Sequence, residues 1–395
     1  MTGAGKPRIA VLIGAAWPGN DASGPVQSVR QIAARFADEA HFELFARSGP
    51  PGGEPLAAHG ERHQEAWGGT TFLDVGPAGA TGLGRAVGAV RCERIWLNSV
   101  WDREFTLPTL GWRRIGRHIP REVLLSTRGE FSTGALALHP HRKRWMRRAL
   151  GASGMLRGVT FHATTAAEAA DVSSAFPDHP VLVAGNIRTL PEPGLHREAN
   201  DGRLRLLYLG RISPVKGLHN ALAALREVSV PVRLTVCGPV HDAAYLRHCQ
   251  ALLAALPPNL EVEFAGPVAN ADAATRYLAA DLFLNPSASE NFGHTIFESL
   301  AAGTPVLTGL ATPWNDLEGD LAGYNVASDD HGAIAGAIER HAARTPEERA
   351  IWREAARARA ERQAADLSTL ETWRGWLTRG LRAPGEALTA AGDER

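Results

Sequence analysis

Two carboxylates eight residues apart, Glu290 and Glu298, flank what reads as the start of a helix. They belong to the stretch DLFLNPSASENFGHTIFESLAAGTPVL, residues 281–307. Leu282-Phe283-Leu284 reads as a buried strand, a small polar loop follows, and from about Gly293 the apolar spacing becomes helical, with Ile296 and Leu300 on one face. Gly303 and Pro305 stop that helix, and Val306-Leu307 begins another strand. At about 100° per residue, Glu298 points about 160° away from the Ile296/Leu300 stripe, so it faces outward from the core. Free amides at a helix start make an anion site. A carboxylate on each side suits a ligand that carries both phosphates and hydroxyls. The pair alone also fits two surface carboxylates favouring the N-terminal half of a helix.

The complete string resembles the signature of the retaining glycosyltransferases of family 4, the group 1 transferases with the GT-B fold. Their mark is Glu, seven residues, Glu, here Glu290 and Glu298, with Phe292-Gly293 after the first and Gly303-Thr304-Pro305-Val306 after the helix. A second string, Gly210-Arg211-Ile212-Ser213-Pro214-Val215-Lys216-Gly217, follows a strand over 204–209 and is similar to the family's GR-x-x-x-x-KG. Val215 departs from the Glu or Gln that many relatives carry there. The resemblance implies a nucleotide-sugar site with catalytic Arg211, Lys216 and Glu290. The two cations would lie over the pyrophosphate, and Glu290 would hold sugar hydroxyls. Donor-binding residues carried over with it are Gly24, Gly210, Val268, Phe292, Gly293, His294, Thr295 and Glu298, the last on the ribose. It further implies a same-face mechanism in which the leaving phosphate oxygen takes the acceptor proton.

The strings NSVWDREF, STRGEFSTGAL and FHATTAAE are similar to the acceptor half of a branch acting in surface-polysaccharide or lipopolysaccharide synthesis. Asn98, Arg128 and Glu130, with Gly129 between the last two, are the acceptor-side candidates. Strand-end capping and an internal ion pair is their other reading. His162 lies within a strand pattern and reads as a hydrogen-bonded core histidine.

The elements that position these residues alternate strand and helix, with strands over 8–13, 94–97, 122–125, 159–162, 204–209, 233–237 and 262–265 and one weak strand within 49–82. Alternation of this kind means α/β, parallel sheets wound on both faces that bind ligands at the carboxyl ends of their strands. The expected architecture is GT-B: an acceptor-binding Rossmann-like domain over 1–190 and a nucleotide-sugar-binding one over 200–366, facing a cleft. A helix over 367–383 would cross back to the first. The residues beyond 384 read as frayed.

At 395 residues the chain can bury two cores. Lys+Arg and Asp+Glu both total 42, which gives no overall field for nucleic acid. Three scattered cysteines argue against a disulfide framework and fit a reducing cytoplasm. No Asp-x-Asp pair is present, so no metal and no cofactor are expected, and no apolar run suggests export or a membrane span. The region 113–157 is locally basic: Arg113, Arg114, Arg117, Arg121, Arg128, Arg142, Lys143, Arg144, Arg147, Arg148 and Arg157 face only Glu122 and Glu130. Trp145, Met146, Leu150 and Met155 are interleaved with them, so an anionic membrane surface is a candidate partner, with peripheral placement at its inner face. The expected activity is transfer of a sugar from a UDP- or GDP-linked donor to a glycan or lipid-linked glycan, with retention. A nucleotide-sugar 2-epimerase or phosphorylase of the same fold, and a non-catalytic nucleotide-sugar binder, are the alternatives.

Overall fold

The computed structural model describes the chain apart from residues 1–5, 21–22, 75–78, 116–119, 121, 133–139, 193, 195–201, 255 and 381–395. Residues 117, 121 and 133–136, most of the stretch between the two expected domains and the tail beyond 384 therefore lie outside the described residues. The chain divides into two compact units, Met1–Arg188 with Leu367–Arg395, and Thr189–Asp366.

The first unit holds eight strands: β1 Arg8–Ile13, β2 His41–Arg47, β3 Arg62–Glu65, β4 Gly68–Leu73, β5 Arg94–Asn98, β6 Glu122–Ser126, β7 Val159–Ala163 and β8 Val181–Val183. They are ordered β3-β4-β2-β1-β5-β6-β7-β8, parallel throughout except for the β3–β4 hairpin. Successive side chains of a strand face opposite ways. Ile9, Val11 and Ile13 accordingly enter one apolar cluster while Ala10 and Leu12 enter another. Trp96 and Leu124 join the first cluster, and their neighbours Ile95, Leu97, Val123 and Leu125 the second. The helix Leu367–Arg379 closes the first cluster with Trp373, Trp376 and Leu377. Trp373 packs 4.9 Å from Trp96 and donates through Nε1 to the Gly185 carbonyl.

The second unit repeats the scheme with six parallel strands: β9 Leu204–Leu209, β10 Val232–Cys237, β11 Leu260–Gly266, β12 Leu282–Asn285, β13 Val306–Thr308 and β14 Gly323–Asn325. The order is β11-β10-β9-β12-β13-β14. Leu206, Tyr208, Leu282 and Leu284 pack on one face, and Leu207, Phe283 and Val306 on the other.

The sequence expectations differ from the structure at three strands. The weak strand within 49–82 is two, β3 and β4, and β2 and β14 have no counterpart in the sequence reading.

Candidate active site

The second unit gathers its candidates at the carboxyl ends of β9 to β12. After β9 the chain turns through Gly210 into a single 3-10 turn, Pro214–Lys216. Gly217 follows at φ 69°, and a Cβ there would lie 2.0 Å from the Pro286 carbonyl oxygen. Only glycine allows that approach, so the loop after β9 presses backbone to backbone on the loop after β12. Ala288 N donates to Val215 O at 3.1 Å along the same seam. The consequence is a contact between the two quoted motifs: Lys216 Nζ lies 2.5 Å from Glu290 Oε1. Their side chains are 21% and 11% exposed, so a ligand can still reach the pair. Arg211, on the same loop, is exposed and makes no ion pair among the described residues. Tyr208 Oη fixes its backbone by donating to Arg211 O at 3.1 Å.

The strand-end turns stack. Gly210 N donates to Cys237 O and Gly238 N to Gly266 O, each at 2.9 Å. A Cβ on Gly238 would sit 1.9 Å from Gly210 O. Val268, two residues past Gly266, is half-buried against the apolar cluster that also holds Phe292 and Ile296.

The helix after β12 runs His294–Ala301 and starts from Gly293 at φ 76°. Its own hydrogen bonding begins with Phe297 N to Gly293 O at 3.0 Å. Amides ahead of that bond have no acceptor within the helix, which is what an anion uses. Ile296 and Leu300 are buried. His294, Thr295 and Glu298 are half-buried on the other side, Glu298 Oε2 lying 3.5 Å from Tyr277 Oη. A cation and a carboxylate thus meet ahead of a helix start, with Glu298 one turn into that helix. Because Lys216 already faces Glu290, an incoming diphosphate would share the lysine with that carboxylate.

The sequence reading missed the braces of this site. Trp314 Nε1 donates to Phe292 O at 2.5 Å, and Asn325 holds Trp314 O and Leu317 N. This fixes the peptide just before Gly293. Asn285, at the end of β12, is buried, and its Nδ2 has no acceptor among the described residues. Asn285 lies within the stretch 281–307, yet nothing in that string marks its role.

The first unit holds Gly24 and the three acceptor-side candidates. Gly24 opens the helix Gly24–Arg35, and its carbonyl accepts from Ser28 Oγ at 3.0 Å. Asn98, at the end of β5, accepts through Oδ1 from Arg128 Nε at 3.1 Å and from a terminal guanidinium nitrogen at 2.6 Å. Arg128 and Gly129 are consecutive residues at positive φ, 52° and 76°. Glu168 holds that turn: Oε1 accepts from Thr127 Oγ1 and Gly129 N, and Oε2 from Thr164 N and Oγ1. Glu130 accepts from Ser99 Oγ at 2.5 Å and Val100 N at 2.7 Å.

Desolvation dominates the electrostatics here. It pushes Glu130 up to about 7 and Arg128 down to about 10. Burial acts on Glu168 in the same raising sense, but its hydrogen bonds outweigh it and hold the carboxyl below the ordinary range. His162 is buried, lowered to about 4 by burial, with Nδ1 against Ser126 Oγ and Nε2 against Ala184 O. The three acceptor-side candidates are therefore brought together, but each already bonds to its neighbours.

In the basic region, the helix Pro140–Ala152 leaves Trp145 71% exposed, and Ile115 is 69% exposed. Arg144 and Arg148 are exposed, whereas Arg113 donates to the Arg157 carbonyl at 2.6 Å. Arg117, Arg121 and the Arg142 side chain lie outside the described residues. Among the described residues no helix is long and apolar enough to cross a membrane, and no group of three or more His, Cys, Asp or Glu is placed to hold a metal ion.

The fold is GT-B. Solved structures of the same architecture include the sucrose-phosphate synthase of Thermosynechococcus elongatus, with TM-score 0.70 and 19% identity over 95% of this chain and 100% of that one. HepE of Anabaena, solved with UDP and glucose, gives TM-score 0.66 and 16% identity over 94% of this chain and 100% of its own.

Residues 196–359 match the family described as Glycosyl transferases group 1. The D-inositol 3-phosphate glycosyltransferase of Frankia alni is 32% identical over 292 residues, 67% of this chain and 69% of that protein. The chain belongs to the group 1 glycosyltransferase family. The alpha-monoglucosyldiacylglycerol synthase of Streptococcus pneumoniae is 35% identical over 150 residues, but the match spans 37% of this chain and 33% of the relative. Against the D-inositol 3-phosphate glycosyltransferase of Corynebacterium urealyticum, the chain spans 46% of the relative's length.

Proposed function

We propose that the protein transfers a sugar from a UDP- or GDP-linked donor to a glycan or lipid-linked glycan acceptor, with retention of anomeric configuration. One observation carries the reading: the loop after β9 and the loop after β12 interlock so that Lys216 and Glu290 meet beside the helix begun by Gly293. In this reading Arg211 and Lys216 stabilise charge on the leaving diphosphate. Glu290 and the amides of residues 292–295 hold sugar hydroxyls, Glu298 accepts from the ribose, and the turn at Val268 lies against the base. The acceptor oxygen bonds to the anomeric carbon as the bond to the phosphate oxygen breaks, and that oxygen takes the acceptor proton. With two cations on the diphosphate, no divalent ion is required.

The test is a thermal-shift screen of nucleotide-sugars, followed by a donor-hydrolysis assay with and without EDTA. Donor stabilisation and slow hydrolysis unaffected by EDTA are expected. Product formed as an epimerised nucleotide-sugar without any acceptor would replace this reading with the epimerase one. Activity abolished by EDTA and restored by manganese would refute metal independence.

The second element of the proposal is peripheral attachment to an anionic membrane, supported by exposed Trp145 on the same helix as exposed Arg144 and Arg148, and by the exposed Ile115. Each basic residue near an anionic leaflet contributes about 1 kcal/mol. Co-sedimentation with anionic but not neutral liposomes, lost when Arg144, Arg147 and Arg148 become Gln, is expected. Binding indifferent to lipid charge would remove it.

A further inference from the structure

A second set of cations lines a cavity at the opposite edge of the second unit's sheet. The cavity, about 710 Å³, is bounded by Arg203 and Leu204 at the start of β9, by Asp281 just before β12, and by His341, Arg349 and Arg353. Lys216 and Glu290 follow the carboxyl ends of these same strands. The six residues of β9 alone separate the two edges by about 20 Å at ~3.3 Å per residue. The cavity is therefore a separate place from the candidate active site.

Arg203 lies 4.0 Å from Glu261, whereas the other two arginines make no ion pair among the described residues. Arg349 and Arg353 are four apart on the helix Pro346–Ala364 and share a face. Arg349 donates to Ala342 O at 2.7 Å, and Arg353 to Ala280 O at 3.0 Å and Thr304 Oγ1 at 3.4 Å. All three acceptors are neutral, and neither arginine makes an ion pair among the described residues. Asp281, the one carboxylate in the lining, is engaged by Arg205 at 3.0 Å and by the Arg205 amide at 2.8 Å. Burial pushes Arg353 down to about 10, as expected of a guanidinium without a full counter-charge.

Two lining residues also carry polar atoms without partners. Arg349 Nε is buried with no acceptor. His341 is 1% exposed, and its Nε2 lies 3.0 Å from Asp281 O. A carbonyl only accepts, so the hydrogen is on Nε2, and Nδ1 is left as a bare acceptor with no donor. A ligand with anionic oxygens supplies the counter-charge that Arg349 and Arg353 lack.

We propose that this cavity binds a phosphate monoester of sugar-phosphate size, held by Arg203, Arg349 and Arg353. Arginine forks suit phosphate oxygens. The volume exceeds what inorganic phosphate fills.

Calorimetry with glucose 6-phosphate as the probe, on the full chain, tests it. One-to-one binding is expected, unchanged by saturating UDP and at least about tenfold tighter than inorganic phosphate. Arg349→Met should weaken it at least about tenfold, the loss of one charge-assisted contact. Ala350→Glu, at an exposed lining position with no contact to break, should abolish binding by bringing a carboxylate to the phosphate. No binding at ~10 mM probe, weaker than the ~1 mM that corresponds to about 4 kcal/mol, would overturn the proposal. So would displacement by UDP, equal affinity for inorganic phosphate, or unchanged affinity in a folded Ala350→Glu variant.

Discussion

The two units place charged residues at the carboxyl ends of parallel strands, and treat them in opposite ways. In the second unit Lys216 and Glu290 meet each other with part of each side chain still exposed, and Arg211 on the same loop as the lysine is exposed. In the first unit Asn98, Arg128, Glu130 and Glu168 are linked by many hydrogen bonds and heavily desolvated. An exposed cation costs little stability, and a mostly buried pair that keeps some exposure remains available to a ligand. A buried charge must be satisfied by the protein, and once satisfied it holds backbone in place. The comparison teaches that strand-end charge alone does not mark a binding group; its unspent capacity does. Arg128 and Glu168 keep two consecutive residues at positive φ, a positioning task for the loop at 127–130.

The largest effect that separates the two regions is on rate. Lys216→Ala and Arg211→Ala should each lower donor turnover by about 10²–10³, the loss of one preorganised charge partner, with melting temperature nearly unchanged. Wild-type rates in both, measured with a matched donor and acceptor, would end the assignment.

Stability should respond the other way round. Glu168→Ala leaves the donors of Thr127, Gly129 and Thr164 without their acceptor and should cost about 3 kcal/mol or more. At roughly 2–4 °C per kcal/mol for a unit of this size, the first unit's melting transition should fall by about 6–12 °C. Glu290→Ala breaks one mostly buried ion pair and should cost the second unit less, about 1–2 kcal/mol. Equal losses would erase the distinction.

A smaller effect is expected at Glu298. Its replacement by Ala should weaken nucleoside diphosphate binding by about tenfold in calorimetry, through a lost ribose contact, without the turnover collapse seen at Lys216. Unchanged affinity would take Glu298 out of the donor site.

The smallest effect is a pH slope. Glu130 is raised to about 7 from the ordinary 4.5, so the folded protein keeps a proton that the unfolded chain releases. Its contribution is complete below about pH 4.5 and declines as pH rises through 7. Glu168, held low, works in the opposite sense and loses its contribution as pH falls. Melting curves at pH 5 and pH 8 should therefore show a decline across that interval that Glu130→Gln reduces. An identical slope in the variant would mean Glu130 is ionised throughout.

How much of this was legible depended on contiguity. The helix at 294–301 and strand 204–209 follow from local periodicity, and both motif strings lie within single loops. β2 escaped because HFELFAR carries charge inside a buried strand. Glu43 is 5% exposed there, and only its bonds to Arg62 and Thr71 make that tolerable. β14 escaped because Gly323-Tyr324-Asn325 looks like a turn, yet a Cβ on Gly323 would lie 2.0 Å from Val306 O, so glycine is what lets the strand pair. The roles of Trp314, Asn325 and Glu168 were hidden for the same reason: they exist only through partners distant in sequence.

By itself the sequence determined the alternation of strands and helices, the two motif loops and the outward face of Glu298, because each is set by neighbours within a few residues. Tertiary structure alone decided that Lys216 faces Glu290, that Arg128 and Glu130 are desolvated, and that Arg349, Arg353 and His341 share a cavity. Those facts depend on distance and dielectric between segments that only packing brings together.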